Sequence, residues 1–206
     1  MWHSGTAVMN KVFRHFLDRS LSHVVRFNST PQQFKESVAE HSFYVAYYTS
    51  ILLYFLREAD IEVNEAHALK IALLHDMEER FSGDILTPFK HYNEDVLNAI
   101  RKVNAEMIQL VFEDLPSKLG EEFVGLWNQD IALTTREAQV VKVADKLSLL
   151  SKCYEEIKIG NEYFQPIYER EIERLAALRW PWWQEIKQHI IPEDKTPIQL
   201  SFEHLH

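Results

Sequence analysis

The chain has 206 residues, enough for one domain with a sizeable core, and its 46% apolar and 26% charged residues are ordinary for a globular protein. Its 22 Lys and Arg against 31 Asp and Glu give a net charge of −9, which argues against a protein that coats nucleic acid but leaves room for one small anionic substrate. A single cysteine, Cys153, forbids an intrachain disulfide. The N-terminus carries Arg14, Asp18 and Arg19 where a signal peptide needs an apolar run. The longest nearly apolar stretch, Val45 to Leu56, is too short to span a bilayer. A cytoplasmic protein without nucleic-acid or membrane partners is expected.

Five glycines and recurrent apolar spacings of three and four predict an all-α fold. In chain order, a helix is expected from about Thr6 to Ser22, then a loop from Phe27 to Lys35. Ser37 and Glu40 have capping-box spacing and should start a helix that runs to about Ala59. Asn64 should cap a third helix ending near Arg80, before a turn at Ser82-Gly83-Asp84 and a new segment at Thr87-Pro88. A long helix is expected from Tyr92 to Glu113. Pro116 and Gly120 should both break it, ahead of a shorter helix with Phe123 and Trp127. Thr134 or Thr135 can cap a helix to about Ile159, Pro166 can sit in the first turn of another, and Pro181 should set off a short helix with Trp182 and Trp183. The tail after Pro192 reads as irregular. No repeat or linker divides the chain, so one domain over residues 1–206 is expected, with a core of about 13–164 and a helical extension over 165–206.

Three polar positions fall where this pattern calls for apolar residues. His41 has Tyr44, Val45 and Tyr48 on its face. His75-Asp76 follows Leu73-Leu74, and Asp145 lies among Val141, Val143, Ala144 and Leu149. A buried carboxylate is costly unless paired or bound to a cation, and imidazoles with carboxylates are the usual N/O ligands of a divalent metal. Each position alone has an ordinary structural explanation: a satisfied core histidine, a common dipeptide, an aspartate paired with a neighbouring Lys or Arg. Together they suggest a metal site.

The combination resembles the HD-domain phosphohydrolase superfamily, and within it the bacterial 5′-deoxynucleotidase branch. The strings that carry the likeness are Glu40-His41-Ser42, His75-Asp76-Met77-Glu78-Glu79, Gly83-Asp84-Ile85-Leu86-Thr87-Pro88-Phe89-Lys90 and Ala144-Asp145-Lys146-Leu147. They stand in the family's order and approximate spacing, over about Phe13 to Phe164. The resemblance implies an all-α HD bundle, and one divalent ion held by His41, His75, Asp76 and Asp145. Mn²⁺, Co²⁺, Fe²⁺ and Zn²⁺ all suit this donor set, with Mg²⁺ disfavoured. It also implies Glu79 and Asp84 as catalytic carboxylates, Lys90 with Arg19 or Arg26 as substrate contacts, and a homodimer. The implied activity is removal of the 5′-phosphate from (deoxy)nucleoside monophosphates. The alternatives are a deoxynucleoside triphosphate hydrolase and a non-catalytic metal-binding helical module. One departure stands out. The family carries Arg-Trp shortly before its Glu-His-Ser string, for substrate selection. Ungapped comparison sets Asp18-Arg19 there, with no Trp, and matches Arg26 to another family Arg, which removes the ground for expecting strict 2′-deoxy selectivity. The three tryptophans at 180, 182 and 183 are expected in packing. His91, His204 and His206 are expected to take no metal role, and Glu121-Glu122 and Glu155-Glu156 to be solvated.

Overall fold

The computed structural model describes residues 5–191. The expected tail after Pro192, with His204 and His206, lies outside the described residues. The helices are α1 (Gly5–Leu17), α2 (Val38–Glu58), α3 (Glu65–Leu74), α4 (Glu79–Ser82), α5 (Thr87–Lys90), α6 (Glu94–Phe112), α7 (Ser117–Ala132), α8 (Arg136–Lys158), α9 (Gln165–Ala177) and α10 (Pro181–Ile186). Among the described residues there is no strand, only an isolated bridge between Val25 and Ser37. The all-α expectation therefore holds. No helix of the described residues is long and apolar enough to cross a membrane.

Local chemistry explains most of the helix starts. Ser37 Oγ accepts the Glu40 N–H at 3.2 Å while the Glu40 carboxylate accepts the Ser37 N–H at 2.7 Å, the reciprocal cap expected for α2. Asn64 and Thr135 cap α3 and α8. Pro166 and Pro181 occupy the first turns of α9 and α10, where a missing N–H costs nothing.

α2 and α8 form the spine, α3 packs on both, and α7 and α9 flank α8. Their shared interior holds Val45, Leu52, Ile71, Val140, Val141, Ala144 and Cys153, all fully buried, each of the larger ones contributing about 1.5–3 kcal/mol. Burial pushes the Cys153 thiol up to about 12. Trp182 and Trp183 are buried as expected; their ring N–H groups donate to Gln139 Oε1 at 2.9 Å and to the Leu175 carbonyl at 2.8 Å.

Four local expectations need revision. α1 stops at Leu17, because Asp18 Oδ1 accepts the Ser20 N–H at 2.8 Å and opens a separate 3-10 turn over Ser20–His23. Gly120 does not break a helix. It lies inside α7, where a Cβ would stand 2.9 Å from the Phe112 carbonyl oxygen, so glycine allows α6 and α7 to approach closely. α3 ends at Leu74 rather than near Arg80, and His75 to Glu78 form a turn. Glu156 is not solvated but fully buried. It accepts the N–H groups of Gln33 and Phe34 at 2.9 and 3.0 Å, the Lys152 ammonium at 2.7 Å and the Asn161 amide at 2.7 Å. This knot ties the loop before α2 to the C-terminal end of α8.

Candidate metal centre

The early end of α3 has a consequence for side-chain direction. Neighbours on a helix point about 100° apart, yet the side chains of His75 and Asp76, at the start of the turn over 75–78, meet at their tips. His75 Nε2 comes within 3.0 Å of Asp76 Oδ2 and 3.3 Å of His41 Nε2. His41, one turn into α2, also lies 3.5 Å from Asp76 Oδ2 and 3.3 Å from Asp145 Oδ1 of α8. The ligand atoms of His41, His75 and Asp145 all fall within 4.8 Å of one another. Atoms about 2.0–2.2 Å from one ion stand roughly 3.0–3.5 Å apart in octahedral or tetrahedral arrangements. The separations from His41 to its three neighbours and from His75 to Asp76 match, and this donor set fits a divalent ion.

The surrounding shell orients these donors. His75 Nδ1 lies 2.8 Å from the Ala72 carbonyl, which fixes the proton on Nδ1 and leaves Nε2 toward the centre. Lys142, one turn before Asp145, donates to Asp145 Oδ2 at 2.7 Å, so Oδ1 is the oxygen turned to His41. His41 Nδ1 meets Ser148 Oγ at 2.9 Å and an Arg26 guanidinium nitrogen at 2.8 Å. Arg26 arrives from the loop, held by its main-chain N–H to the Glu36 carbonyl and by an ion pair to Glu36 at 2.8 Å.

The electrostatics follow from crowding acids around few cations. Burial lowers the His75 pKa, but the Asp76 carboxylate outweighs it and raises the value to about 10. Asp76 moves down: burial opposes ionisation, and the His75 charge beside it prevails. Asp145 likewise falls well below its ordinary value, with Lys142 prevailing over burial. Burial, helped by Arg26, lowers His41. Glu79 is pushed up to about 9 by burial and then by the Asp76 and Asp84 charges. Its Oε2 is buried without a hydrogen-bond partner among the described residues. A buried, unpaired carboxyl oxygen beside the cluster is an expensive arrangement for a purely structural residue, and it suits a group that awaits a bound water.

The other candidates separate in space. Asp84 Oδ2 accepts the Phe27 N–H at 2.8 Å, which stations Asp84 beside the Arg26-Phe27 segment. Phe27 itself has φ of 54° and packs edge-on to Phe164. Arg19 is exposed and lines a cavity of about 600 Å³ with Ser22, Phe34 and Lys35. Lys90 ends α5, half-buried, with no side-chain hydrogen bond or ion pair among the described residues. His91 follows it, exposed.

Sequence reasoning overlooked four groups. Lys142 and Ser148 flank Asp145 by one turn on either side, a spacing that was legible. Glu78, pushed up to about 7 by burial and Asp76, accepts the Trp127 ring N–H at 2.7 Å. Asp130, raised to about 6 by burial, faces His75, Lys142 and Asp145 from α7. Only the packing of α7 against α3 and α8 brings Trp127 and Asp130 here.

Comparison with known proteins gives the family. Residues 13–193 match the model of a family described as 5′-deoxynucleotidase YfbR-like. A 5′-deoxynucleotidase of Photorhabdus temperata is 33% identical over 143 residues, 69% of this chain and 72% of that protein. One from Vibrio atlanticus is 30% identical over 71% of this chain and 75% of its own length. Among solved structures, an HD-domain phosphohydrolase from Listeria innocua superposes with a TM-score of 0.74 at 25% identity, over 89% of this chain and 88% of that one.

Proposed function

Because this chain belongs to the YfbR-like 5′-deoxynucleotidase family, we propose that it is a metal-dependent phosphohydrolase that removes the 5′-phosphate from deoxynucleoside monophosphates. The observation that carries the reading is the convergence of His41, His75, Asp76 and Asp145 at ligand spacing, with the unpaired Glu79 carboxyl beside them. These four residues would hold one divalent ion, of the Mn²⁺, Co²⁺, Fe²⁺ or Zn²⁺ class. When bound, the ion supplies Lewis acidity and a water of lowered pKa.

The chain's own groups do the rest. Glu79 takes a proton from the attacking water and Asp84 passes one toward the departing sugar oxygen, within the usual range of carboxylate acid–base catalysis. Arg26 provides a planar pair of donors for phosphate oxygens. Of the two arginines first considered, Arg26 is the one at the cluster, and we assign phosphate contact to it rather than to Arg19. Lys90 would serve as an outer cation during substrate approach.

The whole chain, 1–206, would act as one domain in the cytoplasm. We also propose a homodimer, supported by a row of outward aromatic residues on α2: Phe43, Tyr44, Tyr47 and Tyr54 are 43–64% exposed. Sedimentation of the purified protein at twice the protomer mass is the expected result.

The deciding experiment for the activity measures phosphate release from nucleoside mono- and triphosphates, using metal-stripped protein resupplied with Mn²⁺ or Co²⁺, beside Glu79→Ala. Free phosphate from deoxynucleoside monophosphates, lost in the variant, is expected. Tripolyphosphate from triphosphates would move the assignment to the other hydrolase class. Silence with metal demonstrably bound would end the nucleotidase reading.

A further inference from the structure

His41 Nδ1 has two neighbours that make incompatible demands. A neutral imidazole carries one N–H and one lone pair on its two ring nitrogens. For Nε2 to bind an ion, its lone pair must face the centre, so the proton must sit on Nδ1, and that N–H needs an acceptor. Arg26 lies 2.8 Å from Nδ1, yet a guanidinium can only donate. Ser148 Oγ, 2.9 Å away, is a hydroxyl and can accept. With the lone pair on Nδ1 the Arg26 contact is favourable and Nε2 carries the proton, which blocks it as a ligand. With the proton on Nδ1 the only acceptor in contact is Ser148.

Ser148 is placed for this task. It is 1% exposed on α8, one turn beyond Asp145. Ser42 and Ser50 return their hydroxyls to the carbonyls of Val38 and Ala46, as serines inside helices commonly do. Ser148 instead reaches across to α2 and its hydroxyl meets the histidine.

We propose that Ser148 is a positioning residue that selects the metal-binding tautomer of His41, and that loading the ion releases Arg26 from His41. The proton moves from Nε2 to Nδ1, with no net uptake or loss. Arg26 then keeps its ion pair with Glu36 but gives up its contact with Nδ1, and the Nη1 N–H so freed turns to the substrate phosphate. The inference rests on the metal-centre reading above, and the test separates the two.

Two-bond ¹H–¹⁵N correlation spectra of the ¹⁵N-labelled chain, stripped and then titrated with Zn²⁺, report each histidine's tautomer. The expected result for His41 is Nε2–H without zinc and Nδ1–H with Nε2 ligated when zinc is bound. Chelator competition with Co²⁺ should show a 10- to 100-fold loss of affinity in Ser148→Ala and recovery in Ser148→Thr, which keeps the hydroxyl. Thermal unfolding of the stripped variants checks that both are folded. Zinc bound to the wild type with His41 still Nε2–H would overturn the proposal, as would a folded Ser148→Ala that binds Co²⁺ as tightly as wild type. A wild type that binds neither ion would overturn the metal centre itself, and this inference with it.

Discussion

α8 carries two carboxylates inside the fold, half-buried Asp145 and fully buried Glu156, about 16 Å apart along the helix, and they live in opposite circumstances. Glu156 accepts from two backbone N–H groups, a lysine and an asparagine, and those contacts outweigh burial to bring its pKa down to about 2. Every nearby donor has one clear use there, and the knot holds the loop against the helix. At the Asp145 end acids outnumber cations, Arg26 and Ser148 compete for His41 Nδ1, and a Glu79 carboxyl oxygen has no hydrogen-bond partner among the described residues. One end of the helix has its polar groups satisfied, and the other has them in competition, the pattern expected where the proposed function would place its site.

The sharpest way to break this contrast is to neutralise one acid at each end. Glu79→Gln should cut phosphate release by two to four orders of magnitude, measured at saturating metal. The metal-free variant should be no less stable than wild type at pH 7, because the raised pKa keeps that carboxyl protonated there. Glu156→Ala should do the reverse. Removing it strands Lys152 and the N–H groups of Gln33 and Phe34, which should cost about 3–5 kcal/mol in urea unfolding, while turnover per folded molecule is retained. If Glu156→Ala loses turnover without losing stability, the two ends are not separable in this way.

The pH dependence of metal-free stability sharpens the same contrast. Glu156 has a lowered pKa, so its contribution is present above the unfolded value of 4.5 and is lost as pH falls toward about 2. Glu79, Glu78 and His75 have raised values of about 9, 7 and 10. Their contributions are complete below the unfolded values and are lost as pH rises through the folded ones. Above pH 6, Asp76 and Asp145 are ionised in both states and add no slope. Urea melts of stripped protein should therefore show stability falling from pH 6 to 9, and less steeply in Glu79→Gln. Added Zn²⁺ should flatten the fall, since the ion displaces the protons held there. The smallest effect expected is at the cap of α2: Ser37→Ala should cost about 1 kcal/mol, read as a shift of the unfolding midpoint at unchanged slope.

The cluster of His41, His75, Asp76 and Asp145 was legible because His41 and Asp145 interrupt apolar helical faces and His75-Asp76 directly follows one, and a polar residue there demands an explanation. Ser37, Asn64 and Thr135 were legible as caps because capping is settled within four residues. Glu156 was misread as solvated because its burial depends on a loop more than 120 positions earlier. Arg26 sits in that loop, where no periodicity distinguishes it from Arg19, and only the Glu36 contacts draw it to His41. Asp130 and Trp127 join the centre through the packing of α7, a long-range fact that local pattern does not carry.

Cys153 lies on α8 between the two carboxylates, fully buried, with its thiol held at about 12. As the chain's single sulfhydryl, it is a built-in clock for the opening of that helix. A thiol reagent should find nothing to modify in the closed molecule, so the labelling rate counts excursions of α8 away from its neighbours. Run with and without bound metal, that rate converts ligand occupancy at one end of the helix into a readable lifetime for the whole spine.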